Sequence, residues 1–154
     1  MSYLALDVGD RRIGVAGADP EGIVVTPITT LTRRSDRQVV AAITDLAADR
    51  GAEIIVVGMP YTPQGELGEQ ARRVQDFARR LEKLPGLDVV YWDERYSTLE
   101  ASDRLRETGV RHRRRRGRPA RIAERERLDA AAAAVILQDF LDAQHEDATG
   151  EWPG

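Results

Sequence analysis

The chain contains no cysteine, only two histidines and a single lysine, Lys83. Without cysteine it can form neither a disulfide nor a thiolate metal site. His112 and His145 do not have the spacing of a pair of metal ligands. Any bound metal must therefore be held by oxygen atoms, which favours Mg²⁺ or Mn²⁺ over zinc.

Long hydrophobic runs are also missing, and no basic segment followed by an apolar one stands at the N-terminus. We therefore expect neither a membrane span nor a secretory signal, and a cytoplasmic protein. A length of 154 residues fits one domain. We expect the domain to cover residues 1–144 and the polar residues 145–154 to form a flexible tail.

Charge is unevenly distributed along the chain, although the net charge is only −3. Residues 111–118 read RHRRRRGR, whereas the acidic residues are spread over the whole sequence. A local basic run of this kind is compatible with contacts to nucleic-acid phosphates. It is equally typical of a solvated loop, and the run alone does not separate the two interpretations.

Hydrophobic periodicity and turn signals predict the order βββαβαβαα. Short turns join the first three strands, which indicates an antiparallel meander, and the later strands alternate with helices. The sequence therefore predicts an α/β fold with a mixed five-stranded sheet, its first three strands antiparallel, flanked by helices. The predicted strands are 2–9, 12–18, 23–28, 53–58 and 88–92, and the predicted helices are 35–50, 67–81, 97–109 and 122–143.

Three acidic residues occupy positions where apolar or small residues are expected. Asp7 lies in the first strand, Glu94 follows the fifth, and Asp129 shares a helix face with Ile136 and Phe140. A buried carboxylate needs a cation or hydrogen-bond donors. Ligands of such sheets gather at the carboxyl ends of the strands, so the three side chains are candidates for one shared site.

Each of these carboxylates also has a simpler interpretation. Asp7 could cap the turn that Gly9 bends, and Asp129 could form a structural ion pair with Arg125 or Arg12. Together, however, three convergent carboxylates form the ligand set of a Mg²⁺ or Mn²⁺ site for phosphoryl transfer. We therefore expect a metal-dependent hydrolase.

Four motifs resemble the bacterial YqgF family in order and spacing. These are ALDVGDRRIGVA at 5–16, GMP with a later glycine at 58–65, DERYST at 93–98 and LDAAAAAVIL at 128–137. The family is ribonuclease H-like, is related to Holliday-junction resolvases, and is associated with pre-16S rRNA nuclease activity. The resemblance implies a ribonuclease H-like fold and a nuclease acting in 5′-end processing of pre-16S rRNA during ribosome biogenesis.

The resemblance also implies site residues. Asp7, Glu94 and Asp129 would be catalytic and metal-ligating. Glu126, one turn from Asp129, is a weak candidate for a fourth carboxylate. The residues expected to contact nucleic acid are Arg11, Arg12, Arg95, Thr98, Arg113, Arg114, Arg115 and Arg116.

Several functional alternatives stay open at this point. The substrate could be structured RNA or branched DNA, as for a Holliday-junction resolvase in repair and recombination, and cleavage could be endo- or exonucleolytic. The protein could instead be a non-cleaving rRNA-binding assembly factor on ribosomal precursor particles. An ATP-dependent phosphotransferase shares the Asp-x-Gly opening but needs a second domain. The sequence is compatible with a monomer or a homodimer.

Overall fold

The computed structural model describes residues 2–19, 21, 24–94 and 118–150, with the side chains of 124–144 in the last range. Within this part of the chain, five strands form one sheet and three helices cover it. None of these helices is both long and apolar enough to cross a membrane. The elements are β1 (Ser2–Val8), β2 (Arg12–Ala18), β3 (Val25–Thr32), α1 (Asp36–Arg50), β4 (Ala52–Met59), α2 (Glu69–Glu82), β5 (Asp88–Asp93) and α3 (Arg118–Gly150).

The sheet has the strand order β3-β2-β1-β4-β5. β1 pairs antiparallel with β2, and β2 with β3, whereas β1–β4 and β4–β5 are parallel pairs. The mixed five-stranded sheet with an antiparallel start is confirmed. β1 lies at its centre, so the carboxyl ends of β1, β4 and β5 meet at one edge.

Both faces of the sheet are covered by helices. Leu4 and Leu6 of β1 pack with Ile43 of α1 and Phe77 of α2 in one apolar cluster. On the opposite face, Ala5 packs in a second cluster with residues of α3. Because side chains alternate along a strand, the odd-numbered positions of β1, including Asp7, belong to the face covered by α3.

The ends of α1 follow the sequence signals. Ser35 is the N-cap, and its hydroxyl accepts a hydrogen bond of 3.2 Å from the amide of Gln38. Gly51 ends the helix at a φ of 63°, in the left-handed region that glycine adopts without a steric penalty. Val39 and Ile43 of the predicted apolar stripe are buried. This helix is confirmed.

The third strand differs from its prediction, because β3 continues beyond Pro27 to Thr32. Proline lacks an amide donor, yet an edge strand can accommodate it where the outer side needs no partner. The β2–β3 register shifts between Val15 and Ala16, whose partners are Thr29 and Pro27. The resulting bulge lets the strand pass the proline.

The last helix is longer than predicted, because the backbone of α3 is helical from Arg118 to Gly150. The division at residue 144 between a domain and a tail stays a prediction. The predicted helix 97–109 lies outside the described residues. Most of the basic run 111–118 also lies outside them.

Candidate active site

Asp7 is a partly buried residue near the carboxyl end of the central strand. In the β1–β2 ladder it lies opposite Gly14. On the other side Leu6 pairs with Val57, so Gly58 of β4 is the next residue beside Asp7. A glycine on each side lets other parts of the chain approach this carboxylate closely on the face covered by α3.

Gly14 permits the close approach that brings Asp129 to this face. A Cβ atom placed on Gly14 would lie 1.9 Å from the carbonyl oxygen of Asp129 and 2.3 Å from its carbonyl carbon. These are backbone atoms, which cannot move aside without shifting the helix. The absence of a side chain at Gly14 therefore sets the position of α3 against β2.

Gly58 has the same role for Glu94, which directly follows β5. A Cβ atom on Gly58 would lie 2.5 Å from Oε1 of Glu94 and 2.6 Å from Cδ1 of Ile136. The carboxylate of Glu94 thus lies over the glycine that neighbours Asp7 in the sheet. Glu94 and Asp7 are brought together across β4.

Asp7 interacts electrostatically with each of the other two predicted carboxylates. Burial, followed by the charge of Asp129, raises the pKa of Asp7 from 3.8 to about 6. Burial, followed by the charges of Asp7 and Asp93, raises the pKa of Glu94 from 4.5 to about 7. Desolvation and like charge both disfavour the ionised form of a carboxyl group. The structure therefore places Asp7 within electrostatic reach of both Asp129 and Glu94.

Asp129 is also paired with a cation. Nε of Arg12 donates to Oδ2 of Asp129 at 2.6 Å, and the two side chains are 34% and 26% exposed. Of the two arginines named as ion-pair partners, Arg12 is thus the one that binds. Arg125, by contrast, is exposed. The ion pair at Asp129 is confirmed, and it exists alongside the proximity to Asp7.

The described part of the chain contains no group of three or more Asp, Glu or His side chains positioned to hold a metal ion. Chemically, the donor set still suits Mg²⁺ or Mn²⁺, since it consists of carboxylate oxygens beside two glycines. A divalent cation would also relieve the repulsion that raises the pKa values of Asp7 and Glu94. Arg12 holds Oδ2 of Asp129. To bind a metal ion through this oxygen, Asp129 would have to give up its hydrogen bond to Arg12.

The arginines predicted to contact nucleic acid are only partly within the described residues. Arg11 is exposed and Arg12 is half-buried, both at the β1–β2 turn. The amide of Gly9 donates to the carbonyl of Arg12 at 2.9 Å and holds this turn closed. Arg95, Thr98 and residues 113–116 lie outside the described residues.

Glu126, the weak candidate for a fourth carboxylate, has an exposed side chain. Its carbonyl oxygen accepts a hydrogen bond from the hydroxyl of Thr30. That bond joins α3 to β3. The side-chain carboxylate of Glu126 takes no part in this bond and is exposed to solvent.

Sequence reasoning missed other residues around this edge of the sheet. It did not assign Gly58 its part in placing Glu94, although a glycine closing a buried strand was an available signal. It also missed Arg33, which contacts the nearby Asp36 and the distant Gly9, and Glu124, which is only 6% exposed. No described residue hydrogen-bonds Oε1 of Glu124. Nothing in the local sequence distinguishes it from its charged neighbours.

Comparisons with known proteins place the chain in a family and agree with its fold. The sequence matches the family described as "RuvX: Holliday junction resolvase" over residues 1–143. It is 44% identical over 143 residues to a protein of a Synechococcus species named "Putative pre-16S rRNA nuclease", covering 93% of this chain and 90% of that protein. A protein of the same name from Chloroflexus aggregans is 41% identical, with coverage of 93% and 94%.

Solved structures show the same fold at much lower sequence identity. RuvC of T. thermophilus, in complex with a Holliday junction substrate, aligns with a TM-score of 0.56 at 13% identity, covering 94% of this chain and 96% of that chain. The fowlpox virus Holliday junction resolvase aligns with a TM-score of 0.55 at 10% identity, covering 94% and 99%. The RuvC-like ribonuclease H fold is thereby confirmed.

Proposed function

The chain belongs to the RuvX (YqgF) family, and from this premise we propose that it is a Mg²⁺- or Mn²⁺-dependent nuclease that processes the 5′ end of pre-16S rRNA. The observation that carries the proposal is the meeting of Asp7, Glu94 and Asp129 at one sheet edge. Two of these carboxyl groups have pKa values raised by burial and by their acidic neighbours. Perturbed acidic groups of this kind cluster at functional sites.

Asp7, Glu94 and Asp129 are the residues that would hold the metal. When bound, a divalent ion activates water and stabilises the leaving oxygen of a phosphodiester. Gly14 lets the backbone of α3 come close to the face that carries Asp7, and Gly58 lets the carboxylate of Glu94 lie beside it. Their positions support Asp7 as the central ligand, with the other two carboxylates on either side of it.

Arg12 completes this proposal as a phosphate contact. Its guanidinium lies against Asp129 and is still one-third exposed. An arginine at the edge of a carboxylate site can bind phosphate oxygens through the donors that its ion pair leaves unused. Arg11 lies in the same turn and is exposed, which supports a second contact there.

The rRNA substrate is inferred from the relatives, whose names describe pre-16S rRNA nucleases. Coverage of about nine-tenths of each chain supports carrying this substrate class over to the whole protein. The Arg-rich segment 111–118, with its excess of positive charge, is the candidate for further phosphate contacts.

A cleavage panel tests the proposed function. Purified protein with Mg²⁺ or Mn²⁺ is offered precursor 16S rRNA ends, single-stranded RNA and four-way DNA junctions. We expect cleavage of the precursor rRNA, and its loss in Asp7→Asn but not in Asp45→Asn, a matched change at an exposed aspartate of α1. Wild-type turnover by Asp7→Asn would refute the assignment of the site.

Two further candidate functions have support of their own. The family description and the fold favour branched DNA as an alternative substrate. Preferred cutting of four-way junctions, by a protein that forms a homodimer, would establish it. The Arg12–Asp129 pair favours a non-cleaving rRNA-binding factor, for which calorimetry would show rRNA binding but no Mn²⁺ binding.

A further inference from the structure

A cavity of about 500 Å³ lies on the side of the sheet opposite the carboxylate site. It opens between the N-terminal end of α1 and the outer side of α2. Asp10, at the β1–β2 turn, forms part of its wall. Because Asp10 is three residues from Asp7, the cavity and the proposed catalytic site adjoin the same turn from opposite sides.

Arg33 lines the cavity, and several hydrogen bonds hold its side chain in place. The guanidinium of Arg33 donates from Nε to Oδ1 of Asp36 at 2.8 Å and from Nη2 to Oδ2 at 3.3 Å. Nη1 donates to the carbonyl oxygen of Gly9 at 2.9 Å, and the guanidinium carbon lies 5.0 Å from the centroid of the Phe77 ring. This side chain ties the β1–β2 turn to α1 and α2, and it lowers the pKa of Asp36. The pair has no net charge and is held rigid.

Three other arginines lie around the cavity with donors to spare. Nε of Arg73 is 3.4 Å from Asp10, whose side chain is 71% exposed, and Nη1 of Arg73 donates to Oε1 of the exposed Glu69 at 3.1 Å. Nε of Arg80 is 3.8 Å from an oxygen of Asp36, which already binds Arg33. Exposed ion pairs contribute only about 0–1 kcal/mol, so an incoming anion can replace them at little cost.

Arg34 adds a guanidinium for which the described part of the chain provides no ion-pair partner. Four arginines and three aspartates line the cavity, and the exposed Glu69, which is outside the lining, pairs with Arg73. An incoming anion that displaced Glu69 would therefore meet one net positive charge. One phosphodiester carries one negative charge, and arginine binds phosphate oxygens through two parallel hydrogen bonds. The arginine donors around the cavity are thus suited to a single backbone phosphate.

We propose that this cavity binds a backbone phosphodiester of the nucleic-acid substrate, one or more nucleotides away from the bond that is cut. The inference rests on the proposed nuclease function and extends it. A strand that extends beyond the carboxylate edge past the β1–β2 turn would reach the cavity, because Asp10 of this turn contacts Arg73. Contacts to phosphates fix the register of a strand without reading its sequence. The cavity would thereby set where the strand lies relative to Asp7.

Binding measurements in the Asp7→Asn background, with Mg²⁺, test the cavity without cleavage. The probes are fluorescent precursor-rRNA oligonucleotides and four-way DNA junctions, followed by anisotropy over a series of salt concentrations. The cavity variant is Arg73→Gln with Arg80→Gln. The matched control is Arg72→Gln with Arg79→Gln, which makes the same charge change at exposed positions of α2 that do not line the cavity.

We expect the cavity variant to bind about tenfold more weakly and to reduce the salt slope by about one, as the loss of one phosphate contact predicts. The control should retain the parental affinity within about twofold. Thermal melting serves as the check on folding. Both variants should melt like the parental protein, because the changes are at exposed side chains.

Three other outcomes would overturn the inference in distinguishable ways. Equal weakening by the two double variants would show that only the general charge of α2 matters, and the nuclease proposal would stand. Parental protein that binds no nucleic acid would refute the nuclease proposal together with the cavity. Unchanged oligonucleotide binding, with loss of binding to inorganic phosphate or a nucleoside monophosphate, would assign the cavity to a small free ligand.

Discussion

Replacing Asp7 by asparagine should stabilise the metal-free protein while it removes the proposed activity. The pKa of Asp7 rises from 3.8 to about 6 because burial and the charge of Asp129 disfavour the ionised form. One pKa unit corresponds to about 1.4 kcal/mol, so ionised Asp7 costs the folded state about 3 kcal/mol at neutral pH. Asparagine has nearly the same shape and no charge, and it avoids this cost.

The effect must depend on pH with a definite sign. Below pH 3.8 the carboxyl group is protonated in the folded and unfolded states, and the cost is absent. Stability is then lost as the pH rises through the folded-state pKa of about 6, and the loss is complete above it. Asp7→Asn should therefore gain up to about 3 kcal/mol at pH 7.5 and almost nothing near pH 3.5.

Urea denaturation in EDTA, followed by circular dichroism between pH 3.5 and 8, measures this difference. Asp10→Asn is the matched control, because its carboxylate is 71% exposed and should leave the stability within about 0.5 kcal/mol. Mg²⁺ should then raise the stability of the wild type at pH 7.5 but not that of Asp7→Asn. If Asp7→Asn stabilises the protein equally at every pH, or destabilises it, then the ionised carboxylate of Asp7 does not destabilise the folded state as proposed.

The remaining predictions concern the residues around Asp7. Gly14→Ala should destabilise the fold by about 3 kcal/mol or more, because its Cβ meets the backbone of Asp129. The Cβ atom of Gly58→Ala would contact only side-chain atoms, so this variant should lose less stability in thermal melts, about 1–2 kcal/mol. It should nevertheless lower cleavage, because the new methyl group displaces Glu94. Equal melting temperatures of the two variants would contradict this contrast. Arg12→Gln should bind Mn²⁺ more tightly in calorimetry and RNA more weakly in anisotropy, because it frees Asp129 and removes a guanidinium. Weaker Mn²⁺ binding would show that Arg12 supports the site.

Much of the architecture follows from local sequence patterns. The predicted strand 53–58 corresponds to β4, and the predicted helix 35–50 corresponds to α1, which Ser35 and Gly51 cap. These signals act over one or two turns of chain, where backbone sterics and hydrogen-bond satisfaction decide the outcome. Pro27 shows the limit of such reasoning. Whether a proline ends a strand depends on whether the strand lies at the sheet edge, which pairing alone determines.

In the candidate site, too, the sequence identified residues, whereas the packing of α3 decided their contacts. Asp7, Glu94 and Asp129 were identifiable because each is a charge in an apolar or small-residue setting. The pairing of Asp129 with Arg12 could be named only as one of two options, since Arg125 was an equal candidate on the helix. The chosen partner depends on how α3 lies across β2, and the contact at Gly14 sets that position.

The sequence by itself determined the family, the order of the elements and the identity of the three acidic residues, because motifs and periodicity are properties of the chain. Only the tertiary structure decided which atoms meet. It placed Gly14 and Gly58 on the two sides of Asp7, gave Asp129 an arginine partner, and gathered Arg33, Arg73 and Arg80 around one cavity. Contacts between residues far apart in sequence depend on the packing of whole elements against the sheet, and no local pattern records that packing.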